Sequence, residues 1–235
     1  MKLLLAHLSL VAAAFAQTGP ADLRGVWRAL NNADVDLERA HVIVDPADGK
    51  IPYRPDALAR RNENFSNRKT ADPQARCFQP GAPRAAYLGT PFQIFENARA
   101  VYIVYQDVHA YRIIYLDSNK HNDGLPYAMG ASRGHWEGNT LVADVTSFSA
   151  ATWLDGAGNY HSDALHVVER YARADRNTLL YEAVIEDPTV FTKPWKIRMP
   201  LRLQTGANAR ILEDECAEDE TTGVRHHVSP FKAAK

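Results

Sequence analysis

Eleven residues, HSDALHVVERY from His161 to Tyr171, bring together two imidazoles, two carboxylates and a guanidinium. Imidazole beside carboxylate suits general acid/base chemistry near neutral pH, because the carboxylate fixes the ring tautomer and raises its pKa. Two pairings are available: His161 with Asp163, just after the turn-like DGAGNY, and His166 with Asp187 from the next hairpin. Glu169 adds a further carboxylate to this catalytic set. On a strand, Leu165, Val167, Glu169 and Tyr171 share one face, and His166, Val168, Arg170 and Ala172 share the other. Neither face is purely apolar. The segment therefore either lines a mixed cavity or carries its charges to solvent.

Other chemistries fit less well. His161, Asp163 and His166, with His109 or His121, could supply three or four ligands to a divalent ion. Yet a spacing of five matches no helical zinc motif, and no metal is expected. Nucleophilic catalysis lacks a GxSxG elbow, and Ser162 between His161 and Asp163 cannot form a triad because neighbours on an extended chain point apart. Aromatic residues supply the walls of a binding site: Trp153 in TWLD, near Asp155, and Trp195 in KPWKI flank the charged hairpin, with Tyr171 inside it. His109, Tyr111 and Tyr115 share a strand face opposite Arg112. The His109 face is expected to line the cavity, since an inward arginine needs a carboxylate or anionic ligand to offset its desolvation.

The elements that would position these groups are mostly strands. From Pro91 to Cys216 the chain runs through short alternating or β-branched segments such as RAVYIVYQD, NTLVADVTSF and NTLLYEAVIED, joined by hairpin-sized turns including Glu137-Gly138-Asn139 and Asp175-Arg176-Asn177. A long antiparallel meander removes its exposed edges by closing into a barrel or stacking as two sheets. Residues 31–90 are rich in Pro, Asn, Asp and Arg and read as an irregular wrap with one helical stretch from Pro55 to Asn64.

At the start, MKLLLAHLSLVAAAFA reads as a signal peptide over residues 1–16, with Gln17 the first mature residue. Its apolar run is shorter than the roughly 20 residues a membrane span requires. The mature chain, 17–235, is expected to be one domain, secreted or periplasmic. Cys77 and Cys216 are the two cysteines, and export to an oxidising compartment pairs them in a disulfide. Lys plus Arg number 27 against 28 Asp plus Glu, so no global field draws the protein to nucleic acid or an anionic membrane. A small organic molecule is the expected partner, with no cofactor; the oligomeric state is not legible.

Gly25-Val26-Trp27 in LRGVWRAL resembles the G-x-W that opens lipocalin and other calycin barrels, where the tryptophan plugs one end. The stretches CFQPGAPR, SRGHWEGNTLVADVT, TWLDGAGNYHSDALHVVERY and EDPTVFTKPWKIRMPL are similar to a family of exported bacterial proteins of unassigned activity. That resemblance spans nearly the whole mature chain and implies export and one domain, not a reaction. Where the family often carries a tryptophan before Met-Gly, this chain has Ala128 in PYAMG, which would enlarge a cavity that this position faces. Its tail, LEDECAEDETTG, is also more acidic. The expectation is thus an all-β, lipocalin-like barrel that binds a small apolar or phenolic molecule. It either performs acid/base chemistry of the lyase or isomerase type on that molecule, or serves as a carrier or sensor.

Overall fold

The computed structural model describes residues 20–121, 124–218 and 225–228; the expected signal peptide and residues 219–224 of the acidic tail lie outside the described residues. Nine strands close a barrel in the order β1 (Gly25–Ala29), β3 (Phe92–Glu96), β4 (Ala100–Tyr105), β5 (Tyr111–Tyr115), β6 (Ala131–Glu137), β7 (Thr140–Thr146), β8 (His166–Asp175), β9 (Thr178–Glu186) and β10 (Trp195–Leu203), and β10 returns to pair with β1. A tenth strand, β2 (Ile43–Asp45), lengthens the β1 side by pairing with the start of β10. The hairpin turns fall where the sequence places them, at Gly138-Asn139 and Arg176-Asn177. Alternation drives closure: Val101, Ile103 and Tyr105 on β4 and Val167, Glu169 and Tyr171 on β8 all turn inward and are buried.

One pairing departs from the expected antiparallel meander. β5 and β6 run parallel and register at two positions, Ile114 with Ser132 and Tyr115 with Arg133. Parallel neighbours cannot be joined by a tight hairpin, so residues 116–130 carry the chain back along the barrel before β6 begins. Gly134 permits the close approach, because a Cβ there would meet Ile114 Cγ2 at 2.5 Å. Near the start of β5, the wall between these strands is a seam rather than a continuous ladder.

The two ends differ. One carries the short hairpins and Trp27, fully buried, with its indole N–H donating to Leu23 O at 2.9 Å and the Arg173 guanidinium over its ring. The other carries the turn between β4 and β5, the long 147–165 connection, the loop 187–194 and the wrap. The wrap's helix α1 (Pro55–Ala71) starts with Pro at its first turn, as anticipated. It continues past Asn64 because no breaker occurs before Pro73. It packs on the 147–165 loop: Arg61 Nε and Asn64 Nδ2 donate to Asn159 Oδ1 and Gly158 O at 3.2 Å each. Cys77 and Cys216 are bonded, with Cα atoms 5.6 Å apart. Cys216 lies on β11 (Glu215–Glu218), which pairs with β12 (Arg225–Val228) outside the barrel, so the bridge ties the wrap to a separate hairpin. No helix among the described residues is long and apolar enough to cross a membrane.

Gly134→Ala should push β5 and β6 apart and cost about 1–3 kcal/mol, as overpacking does elsewhere. Urea denaturation checks this: the midpoint should fall with the slope unchanged, and an unaltered midpoint would show that the seam is not tightly constrained.

Candidate functional site

β5 presents the face opposite to the one expected. Arg112 and Ile114 point into the barrel and are buried, whereas Tyr111 and Tyr115 face outward with 64% and 43% exposure. His109 lies exposed in the β4–β5 turn, next to Val108, both at positive φ. The inward arginine is accommodated because β8 supplies a fully buried carboxylate, Glu169, that accepts from Arg112 Nη2. Arg112 Nε donates to Ser132 Oγ of β6 at 2.8 Å. The other oxygen of Glu169 accepts from the phenols of Tyr171 at 3.2 Å and Tyr181 at 2.8 Å.

The electrostatics of this cluster are mutually reinforcing. Burial works against the Arg112 cation, but the Glu169 charge outweighs it and raises the guanidinium pKa. Burial and the Glu169 charge together push the Tyr171 and Tyr181 phenols well above their usual range. Burial does the same to Tyr105, opposed by the Arg112 cation. Two buried polar atoms of the cluster, Arg112 Nη1 and the Tyr105 hydroxyl, make no hydrogen bond of acceptable geometry.

Outside this cluster, at the seam, lies a groove of about 460 Å³ lined by residues that include Arg112, Ser132, Met129 and Ala128. Tyr111, Tyr115 and Tyr127, the last 49% exposed, stand around it. The Arg133 guanidinium sits 5.1 Å from the centre of the Tyr115 ring, giving the groove a cationic rim. The groove thus joins two residues expected to bind ligand, Tyr111 and Tyr115, to the Arg112–Glu169–Tyr171 cluster behind them. Ala128 faces it, where a larger side chain would fill it.

The remaining site residues from the sequence lie elsewhere. His161 is buried, and its Nδ1–H donates to Ser162 O at 2.7 Å, which leaves Nε2 to accept from the Thr152 hydroxyl at 2.7 Å. Asp163 is exposed and forms no ion pair with it. Asp187 instead holds the loop, accepting from Ser162 N at 2.6 Å, Ser162 Oγ at 3.0 Å and Thr189 Oγ1 at 2.8 Å. His166 turns outward and donates to Asp144 at 3.0 Å, while the second oxygen of Asp144 receives His121 at 2.7 Å. Neither anticipated imidazole–carboxylate pair forms: His161 is taken by Thr152 and the Ser162 carbonyl, and Asp187 by Ser162 and Thr189.

Trp153 and Trp195 are buried, the latter edge-on to Phe191 at 5.5 Å. Asp155 accepts from Leu37 N at 2.9 Å, Ala157 N at 3.0 Å and Asn159 Nδ2 at 2.6 Å; burial pushes its carboxyl up to about 6 against the pull of these donors. Among the described residues, no group of three or more His, Cys, Asp and Glu is arranged to hold a metal ion.

Sequence reasoning missed Ser132, Tyr105, Tyr127 and Tyr181. The alternation of AVYIVY and TLLYEAVIE carried the signal for Tyr105 and Tyr181, since each shares a face with neighbours that are plainly core.

Glu169→Gln should cost about 3–5 kcal/mol by leaving the Arg112 charge buried and uncompensated, and Arg112→Leu/Glu169→Leu should recover much of that. Equal urea midpoints for Glu169→Gln and the wild type would refute it. Burial lowers the His161 pKa below 6.5, so the folded chain resists a proton that the unfolded chain accepts. This effect stabilises the fold least in acid: relative to His161→Gln, the wild type should lose stability as pH falls through about 6.5. Urea midpoints of the pair at pH 7.5 and 5 measure that difference, and a constant gap would rule it out.

No protein family, no curated protein and no solved structure matches this chain.

Proposed function

We propose that this chain is an exported barrel protein that binds a small, largely apolar aromatic or phenolic molecule in the groove at the β5–β6 seam. The observation that carries the reading is the ring of outward tyrosines, Tyr111, Tyr115 and Tyr127, around a 460 Å³ recess backed by buried polar groups. Recesses of roughly 300–1,000 Å³ with apolar and aromatic walls and a few placed polar atoms are the usual form of small-molecule sites. Exposed aromatic side chains gathered at one place are otherwise unfavourable for a soluble surface.

Binding accounts for the arrangement better than acid/base turnover. Glu169 is committed to Arg112 and two phenols, and those phenols hold their protons too tightly to act as acids near neutral pH. His161 and Asp187 are occupied by structural hydrogen bonds. The reading is therefore a carrier or sensor. Export is supported by the leader-like first sixteen residues and by the Cys77–Cys216 bond, which suits an oxidising compartment.

A screen of aromatic fragments by NMR tests this, with methyl and ring signals of Met129, Tyr111, Tyr115 and Tyr127 as reporters. Fragments should perturb these signals, and Ala128→Trp should weaken binding at least tenfold by filling the recess. Fragment binding that maps elsewhere, or that survives Ala128→Trp unchanged, would overturn it.

A further inference from the structure

We infer that the groove takes an aromatic monocarboxylate, whose charge is received by Arg133 at the rim while its ring lies among Tyr111, Tyr115 and Tyr127. This rests on the groove being the binding site. Two of the residues that line it carry charge, Arg112 and Arg133, and both are cations. Arg112 turns inward, where Glu169 neutralises it. Arg133 lies on the outward face of β6, in register with Tyr115, and its side chain keeps 16% exposure. The lining therefore offers a guest one cation that the barrel interior does not neutralise.

The partners of Arg133 leave it able to take an anion. The Tyr115 ring holds the guanidinium through its π face and not through an oxygen acceptor. Asp117 Oδ1 accepts from Nη1 at 3.4 Å, from a side chain that is 64% exposed, and a surface pair of this kind contributes little. Asp144, across from Arg133 on β7, already accepts from His121 with one oxygen and from His166 with the other. A planar carboxylate matches the guanidinium fork and can accept from two of its N–H groups at once. One cation also sets the charge of the guest, since a phosphate group would bring more negative charge than the lining balances. The tyrosines and Met129 then hold the ring, as they would a neutral guest.

Two probes of one shape test this by ligand-observed NMR on the full chain: 2-naphthoate, ionised at neutral pH, and the neutral, isosteric 2-acetylnaphthalene. The carboxylate should bind about tenfold tighter, as a charge-assisted bond at a partly exposed site allows. Arg133→Gln should bring the ratio of the two affinities close to one, a change that partial loss of folding would not produce because it lowers both together. Ala128→Trp should weaken both probes. Equal binding of the two to the wild type, tighter binding of the ketone, or a preference that survives Arg133→Gln would overturn this inference and leave the groove reading intact. Carboxylate affinity unchanged by Ala128→Trp would overturn both, since the arginine would then act as an isolated surface charge. Failure of both probes to bind would overturn the groove reading itself.

Discussion

Arg112 carries a full charge into a wall of Val, Ile, Leu and aromatic side chains, and Glu169 is the group that makes this tolerable. A buried ion pair adds little net stability over an apolar substitute, but breaking one is expensive. The pair therefore acts chiefly as a constraint on register. A shift of β5 by one residue would turn Arg112 outward, leave Glu169 buried and alone, and bring Tyr111 and Ile113 into the core. Ser132 and the two phenols complete the restraint by joining β6, β8 and β9 to the same carboxylate and guanidinium.

That constraint matters most at the seam. β5 and β6 share two register positions, far fewer than the eight or nine of β9 with its neighbours, so side-chain bonds do part of the work that a backbone ladder does elsewhere. The parallel pairing and the groove have one cause. A connection long enough to reverse direction must cross the barrel surface, and residues 127–130 of it form one lip of the recess while β5 forms the other. The opposite lip of the same end is closed instead: α1 and the wrap cover the 147–165 loop and bury His161, Trp153 and Asp155.

The fold was legible because alternation on strands is a local property. RAVYIVYQD and ALHVVERYARAD show which residues turn inward, and short polar turns show where hairpins reverse. The parallel step was not legible, since nothing in residues 116–130 distinguishes a long loop from a crossover. The site was read half correctly for a related reason. Glu169 and Tyr171 follow from parity within one strand, whereas the orientation of Arg112 depends on whether another strand brings a carboxylate to meet it. The desolvation argument that placed His109 inward was sound in form but lacked that partner. His161 and Asp163 illustrate the same limit: two neighbours in sequence were read as a pair, yet Thr152 and the Ser162 carbonyl offered the imidazole closer bonds.

The distribution of polar groups argues for where function lies. In the covered end, three of the anticipated groups are taken: Asp155 accepts from three residues, Asp187 from two, and His161 uses both ring nitrogens. Such saturation fixes loops and leaves no atom to meet a guest. The Arg112 cluster is as deeply buried, and it lies at the seam where β5 and β6 share two register positions. Three exposed tyrosines, Tyr111, Tyr115 and Tyr127, are gathered around that same seam.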